Sequence, residues 1–225
     1  MLKNASEKGR RVVVEIGAGW GGFAYQLKKI IPSLIYIIVD LPHTLIFSGT
    51  YLKTMFPQAK IFLYGEATVS RLSEELFLYD FILLPHYAFH RVDLQPIDLG
   101  INMVSFQEMT NNQVEGYLRR LVELKCPVVY SHNRDRSRHN NELSAVGILL
   151  KKFYILHEIE VLPVSYTNLA LPSPAIPTTS QKIMSLFGRI QRLLSRGLKE
   201  STGARTKKKS LYEYRHLVGI AKDTV

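Results

Sequence analysis

A single cysteine, Cys126, is all that 225 residues contain, so neither an internal disulfide framework nor a multi-cysteine zinc site can be built. That usage fits a reducing compartment and predicts a cytoplasmic protein. Long apolar runs are also missing. Stretches such as 35–39 and 81–84 fall far below the roughly 20 residues that span a bilayer, and the polar residues 1–11 hold no apolar core of a secretory signal. Acidic residues are scarce relative to basic ones, 19 against 29, for a formal charge of +10. The surplus is local: residues 182–209 carry nine Lys or Arg against Glu200 alone, net +8, leaving +2 for the rest. A nucleic-acid enzyme would ring its active-site mouth with basic and aromatic side chains, and the nearly neutral body excludes that partner class. The hydrophobic content of 46% is enough for one substantial core, which implies one domain with an appendage.

What is present starts at Val12-Val13-Val14-Glu15-Ile16, a buried-strand pattern that runs into Gly17-Ala18-Gly19-Trp20-Gly21-Gly22 and then a helix over 23–31. Asp40 closes the next apolar run, twenty-three residues after Gly17. Glycines at a strand-to-helix turn let backbone approach a ligand, and an acid at the end of the second strand can bond both hydroxyls of a ribose. The spacing of Gly17, Gly19 and Gly22 satisfies the dinucleotide pattern too, so NAD(P) and S-adenosyl-L-methionine are both open from the motif. Glu15 favours the second, because a carboxylate beside the loop repels a pyrophosphate and attracts the ammonium and sulfonium of the methyl donor.

The rhythm downstream alternates strands and helices: strand 34–39, helix 43–56, strand 60–64, helix 70–78, strand 81–84, strand 101–106, helix 113–124 capped by Asn111 or Asn112, and strand 128–131. A helix over 140–152, an extended segment 154–162 and a last strand 214–221 complete it. Such alternation predicts an α/β fold with a parallel sheet and helices on both faces. The late strand suits an antiparallel edge hairpin with 154–162. The expected layout is a Rossmann-like class I methyltransferase with a mostly parallel seven-stranded sheet, in which 60–64 and 81–84 compete for the third position and 81–84 takes it. The domain boundaries are a polar leader 1–10, the main domain 11–166, a Pro-rich and basic amphipathic insertion 167–210, and the final strand within 211–225.

Ligands of open parallel sheets sit at the carboxyl ends of the strands, which gathers Glu15 to Gly22, Asp40-Leu41, Pro85-His86-Tyr87, Ser105 to Met109 and His132 to Asp135 at one rim. In that order and spacing the chain resembles the sugar O-methyltransferase family of bacterial surface-polysaccharide loci. The resemblance is carried by Val14-Glu15-Ile16-Gly17-Ala18-Gly19-Trp20-Gly21-Gly22, Tyr36-Ile37-Ile38-Val39-Asp40-Leu41-Pro42 and Asp80-Phe81-Ile82-Leu83-Leu84-Pro85. It continues through Asp98-Leu99-Gly100-Ile101-Asn102, Ser105-Phe106-Gln107-Glu108-Met109-Thr110 and His132-Asn133-Arg134-Asp135-Arg136-Ser137. It covers roughly residues 11–166. The family has a further helical region ahead of the first strand, so a chain lacking part of its acceptor or dimer surface is expected.

The resemblance implies that S-adenosyl-L-methionine is the cofactor and that a sugar or glycan hydroxyl is the acceptor. Glu15, Gly17, Ala18, Gly19, Asp40, Leu41, Pro85, His86, Ser105 and Phe106 are the cofactor-binding candidates. Gln107, Glu108, Asn133 and Arg134 are the acceptor-binding candidates. Methyl transfer to a hydroxyl needs one base, for which Glu108, His86 and His132 compete; Glu108 has an equal claim to capping the next helix. Asp135, Arg134 and Arg136 read as a solvated charge cluster, and no diagnostic spacing supports a metal. The stripe Ile183, Leu186, Phe187, Ile190, Leu193 and Leu194 gives a helix over 181–198 an apolar face. With its basic flank, 181–209, that helix suits either packing on the body or on another subunit of a homo-oligomer, or peripheral contact with an anionic membrane at its inner face.

Overall fold

Strand β1, Val12–Ile16, is buried along its whole length, and its neighbours explain why. In the computed structural model, which describes residues 9–65, 71–136, 139–159 and 213–222, it lies in the middle of the sheet. The other strands are β2 Ile35–Asp40, β3 Ile61–Leu63, β4 Phe81–Pro85, β5 Leu99–Met103, β6 Val128–Arg134, β7 Tyr154–Glu158 and β8 Tyr214–Ala221. Their order is β3-β4-β2-β1-β5-β6-β8-β7. Every pairing is parallel except β6 with β8 and β7 with β8. Strands buried on both faces need apolar side chains throughout, which is why the central ones lack the alternation of a half-exposed sheet.

Helices α1 Gly22–Ile30 and α2 Pro42–Met55 cover one face, where Ala24 and Leu52 pack on Val13, Tyr36, Ile38, Phe81 and Leu83. The short helices α3 Leu72–Glu75 and α4 His86–Phe89, with α5 Asn111–Glu123 and α6 Val146–Phe153, belong to the opposite face. There Leu72, Phe89, Leu118, Leu121 and Leu149 meet Val12, Val14, Ile37 and Leu84. All described residues fall in one unit, Met1–Glu160 with Ser210–Val225. The insertion 167–210, with its helix 181–198 and basic flank, lies outside the described residues, as do most of the leader and the end of the segment 154–162.

The parallel sheet, the antiparallel edge and the two helical layers are those expected. Among the described residues the count is eight strands rather than seven, because both 61–63 and 81–85 pair: β4 takes the place beside β2, and β3 adds an outer edge. Strand β5 ends at Met103, so Ser105 and Phe106 are not in it; Val104 adopts φ 57, and Phe106–Glu108 form a single 3₁₀ turn. Strand β6 runs to Arg134 instead of stopping at Ser131, since β8 pairs with it as far as Arg134 opposite Tyr214. Helix α5 is capped by Thr110, not by Asn111 or Asn112, through a reciprocal capping box with Gln113. Helix α6 starts at Val146, six residues later than expected.

Ion pairs tie the amino edge of the sheet. Arg11 meets Asp98 at 2.9 Å, and Asp98 also accepts from the Val12 N–H at 2.8 Å. Asp80 takes Arg10 at 3.0 Å and Lys28 at 2.9 Å. These two acids belong to the strings that carry the family resemblance, yet they stand at the end of the sheet away from the glycine loop.

Candidate functional site

The chain leaves β1 in one direction for β2, β3 and β4 and returns to the other side of β1 for β5, so the strand order reverses between β1 and β5. A cavity of about 480 Å³ opens at the carboxyl ends beside that reversal. Of the predicted residues, Gly17, Gly19, Asp40, Leu41, His86, Ser105 and Glu108 line it. Met109, which the strand-end rule gathers at the same rim, lines it as well, as do Val39, Thr44, Val104, Gln113 and Tyr117. A second cavity, of about 390 Å³ between α2 and the ends of β3 and β4, is walled by side chains such as Leu45, Leu63, Leu83 and Tyr87 and has no carboxylate or histidine among the described residues of its lining.

The loop is shaped by backbone needs. Gly17 has φ +73, and a Cβ there would sit 2.1 Å from Ser105 Oγ, so only glycine lets the turn after β5 lie against the loop. The Gly17 N–H donates to the Val39 carbonyl at 2.8 Å, joining the exits of β1 and β2. Asp40 Oδ2 accepts from the Gly19 N–H at 2.8 Å, and Oδ1 accepts from the Leu41 N–H at 2.7 Å. Each carboxylate oxygen keeps a further lone pair for an incoming hydroxyl. Gly19 has φ +59, and a Cβ added to it would meet nothing within 4 Å, so its need for glycine is conformational.

Glu15 is 2% exposed and does not line the cavity; Tyr36 Oη donates to its Oε2 at 2.8 Å. Burial pushes the Glu15 carboxyl up to about 7, with the tyrosine hydrogen bond opposing and the Asp40 charge adding to the rise. Its influence on the site runs through the field under the loop. Tyr117, from α5, has its phenol raised to about 12 by burial and then by Asp40, so at neutral pH it is a neutral hydrogen-bonding group.

Glu108 is exposed at the end of the 3₁₀ turn, and its Oε1 accepts from Gln107 Nε2 at 3.1 Å. With Thr110 holding the cap of α5, the capping role is removed from Glu108. His86 starts α4 at the wall of the cavity, and its Nδ1 is buried with no hydrogen-bond partner among the described residues. A polar atom in that state costs free energy until something bonds it.

The remaining candidates stand elsewhere. His132 lies inside β6, with its ring stacked on His216 at 4.1 Å, while Tyr130 Oη and His216 Nδ1 are 2.7 Å apart. Burial, and then His216, lower the His132 pKa. Arg134 sits over the Tyr214 ring at 4.4 Å. Gln107 and Asn133 are buried, 3% exposed each, and serve a network of side-chain amides. Phe106 is in the core, Ala18 packs against the α1–α2 layer, and Pro85 faces the second cavity. The charge cluster is solvated only in part: Arg136 is exposed, whereas Asp135 is 6% exposed, accepts from the Gly147 N–H at 2.8 Å and pairs with Arg215 at 2.7 Å. Among the described residues no group of three or more His, Cys, Asp or Glu side chains is placed to hold a metal ion.

No protein-family model and no curated protein matches the sequence. Solved structures do. An O-methyltransferase family protein from Burkholderia thailandensis aligns over 94% of this chain and 51% of its own, with 10% identity and a TM-score of 0.50. The methyltransferase domain of bacterial CtHen1 aligns over 93% and 90%, with 12% identity and a TM-score of 0.49. Precorrin-6y C5,15-methyltransferase from Geobacter metallireducens aligns over 97% and 84%, with 14% identity and a TM-score of 0.47. The chain spans about half the length of the O-methyltransferase structures it matches, 51% of the Burkholderia protein and 52% of one from Nostoc punctiforme. At such identity the likeness is one of fold, and the fold is the Rossmann-like one of class I methyltransferases.

Proposed function

We propose that this chain is an S-adenosyl-L-methionine-dependent O-methyltransferase whose acceptor is a hydroxyl of a sugar or surface-polysaccharide precursor. The observation that carries the reading is one cavity with the glycine loop and Asp40 on one side and Glu108 on the other. The residues fit the donor. Asp40 has acceptor capacity for two ribose hydroxyls, the glycines allow close backbone approach, and the orphaned His86 Nδ1 can bond a polar edge of the adenosine. The donor supplies an activated methyl group. Glu108 is the base that takes the acceptor's proton, and the Gln107 Nε2–H on its Oε1 fixes the orientation of the carboxylate that this role needs.

The lining also bears on the alternative cofactor. Among the described residues it contains the Asp40 and Glu108 carboxylates and no Lys or Arg, a poor setting for the pyrophosphate of NAD(P) and a good one for a cation. The sugar acceptor rests on the family resemblance over roughly residues 11–166. Peripheral contact of 181–209 with an anionic membrane would bring the enzyme to lipid-linked glycan, and replacing that segment by a short linker should abolish vesicle binding while leaving donor affinity intact. Among the described residues no helix is long and apolar enough to cross a membrane.

Calorimetry with S-adenosylhomocysteine and, separately, NADH tests the donor. Binding of the first alone is expected, and Asp40→Ala should weaken it by about 1–3 kcal/mol, the worth of hydrogen bonds to a charged group. Binding of NADH alone sinks the reading. Transfer of labelled methyl from the donor into a surface-glycan extract tests the acceptor; donor binding without any transfer would leave a methyltransferase-like binding module.

A further inference from the structure

The polar interior between β1, β5 and β6 contains one side chain that touches both sides of the cavity's support. Asn102, on β5, is 1% exposed. Its Nδ2 donates to the Ile16 carbonyl at 2.7 Å. Its Oδ1 accepts from the Phe106 N–H at 2.9 Å and from Asn133 Nδ2 at 2.8 Å. Two N–H donors on one end fix which end is oxygen, so the amide cannot be reversed without losing all three bonds.

The Ile16 carbonyl belongs to the peptide that enters Gly17, and the N–H of that same peptide is held by Val39. The plane of the first loop peptide is therefore pinned by β2 on one side and by Asn102 on the other. On the far side of Asn102 the bonds continue. Asn133 Oδ1 accepts from the Gln107 N–H at 3.4 Å, Gln107 Oε1 accepts from the Arg134 N–H at 2.9 Å, and Gln107 Nε2 reaches Glu108. Ser105, one residue before Phe106, fills the space against Gly17. Each amide in the relay is almost fully buried, so a shift of the loop has no water to absorb it.

We propose that Asn102 is a positioning residue that couples occupancy of the glycine loop to the order of the turn bearing Glu108, by holding the Ile16 carbonyl and the Phe106 N–H with opposite ends of one amide. The proposal rests on the glycine loop binding the methyl donor. Linkage makes the coupling reciprocal: a donor that orders the turn binds more tightly because the turn can be ordered. Glu108 would then be aligned when the donor is in place.

The test uses the full chain, with S-adenosylhomocysteine as the probe and amide hydrogen exchange at Phe106 and Glu108 as the readout. In the unaltered protein the probe should slow exchange at both amides by about tenfold, a typical size for such coupling. Asn102→Asp keeps the shape and the bonds to Phe106 and Asn133 but sets an oxygen against the Ile16 carbonyl. It should lose the slowing at both amides and bind the probe more weakly by about the same tenfold factor. Asn133→Ser cuts the relay beyond Asn102, and should keep the effect at Phe106 while losing it at Glu108. Asn140→Ala is the control for mere structure: it removes bonds to the Gln107 and Met109 carbonyls, should speed exchange with and without probe, and should leave the probe-dependent difference unchanged. If Asn102→Asp does not fold, Asn133→Ser carries the decision, and a loss at both of its amides or at neither overturns the relay. Probe bound with exchange at Phe106 unaffected overturns the coupling and leaves the donor reading standing. No binding of the probe overturns both.

Discussion

The two sides of the cavity are built by different means. The donor side, after β1 and β2, is made of backbone: Gly17 and Gly19 at positive φ, an N–H to the Val39 carbonyl, and an aspartate that accepts from two loop N–H groups. The acceptor side, after β5 and β6, is made of side-chain amides: Asn102 and Asn133 bond each other, and with Gln107 and Asn140 they hold the backbone around a turn entered through a strained Val104. Backbone geometry admits few residue types, so the donor side has a narrow sequence requirement. An amide network can be satisfied in many ways, so the acceptor side can change its ligand while keeping its architecture.

If that contrast holds, the sharpest break lies in chemistry at Glu108. Glu108→Gln should lower methyl transfer by about 10²–10⁴-fold, the usual contribution of a positioned base, while affinity for S-adenosylhomocysteine changes little. Thermal stability should not move, because Thr110 supplies the cap of α5. Near-normal transfer in this variant would pass the role to His86, which lines the same cavity; His132 stands apart against His216.

Gly17→Ala attacks the donor side. It places a Cβ 2.1 Å from Ser105 Oγ and asks an L-residue to hold φ +73, so a loss of roughly 2–4 kcal/mol in stability is expected from overpacking and left-handed strain together. Gly19→Ala has open space and only the strain, hence a smaller loss of about 1–2 kcal/mol. Equal losses at the two positions in denaturant unfolding would show that Ser105 does not press on the loop.

Glu15 sharpens the comparison through pH. Its carboxyl is raised in the folded state, from 4.5 to about 7, so its contribution to stability is fully present below pH 4.5 and is lost as pH climbs through about 7. Each pH unit between those two values is worth ~1.4 kcal/mol, which makes the decline at most about 3.5 kcal/mol. Glu15→Gln, which cannot ionise, should flatten that part of the stability curve and gain over the unaltered protein at pH 8. A donor carrying an ammonium and a sulfonium would draw the ionised form, so donor binding near pH 7 should release protons, detectable as a buffer-dependent binding enthalpy.

How much of this was legible follows from the same contrast. Gly17, Gly19 and Asp40 could be found because a strand, a tight glycine turn and an acid ending the next strand are local patterns with a backbone cause. The late strand 214–221 was legible from its place at the end of the chain, which suits half of an antiparallel edge hairpin. Asn102 was not, since nothing local distinguishes an asparagine in an apolar strand that bonds three partners from one at a strand end. Tyr117 and Gln113 were missed, although their i, i+4 spacing does place both on one face of α5. His132 was misplaced because β6 is lengthened by a partner eighty residues away, which no local pattern reports.

The smallest effect separates local architecture from both sides of the cavity. Thr110 Oγ1 accepts from the Gln113 N–H at 3.3 Å, and Gln113 Oε1 accepts from the Thr110 N–H at 2.9 Å. Thr110→Ala breaks half of that box and should cost about 0.5–2 kcal/mol of folding stability, the usual worth of a cap. The Asn102 relay does not pass through Thr110, and no atom of the donor loop bonds to it. Affinity for S-adenosylhomocysteine should therefore stay within about twofold, less than 0.5 kcal/mol, as expected for sites without shared partners. Gln113 does line the cavity, however, and its side-chain oxygen is held by the Thr110 backbone rather than by the hydroxyl that the substitution removes. Gln113→Leu, by contrast, removes a polar group from the cavity wall together with its half of the box. A matching loss of donor affinity in the two variants would mean that α5 as a whole, and not the amide network, sets the acceptor side; a loss confined to Gln113→Leu would leave the network in that role.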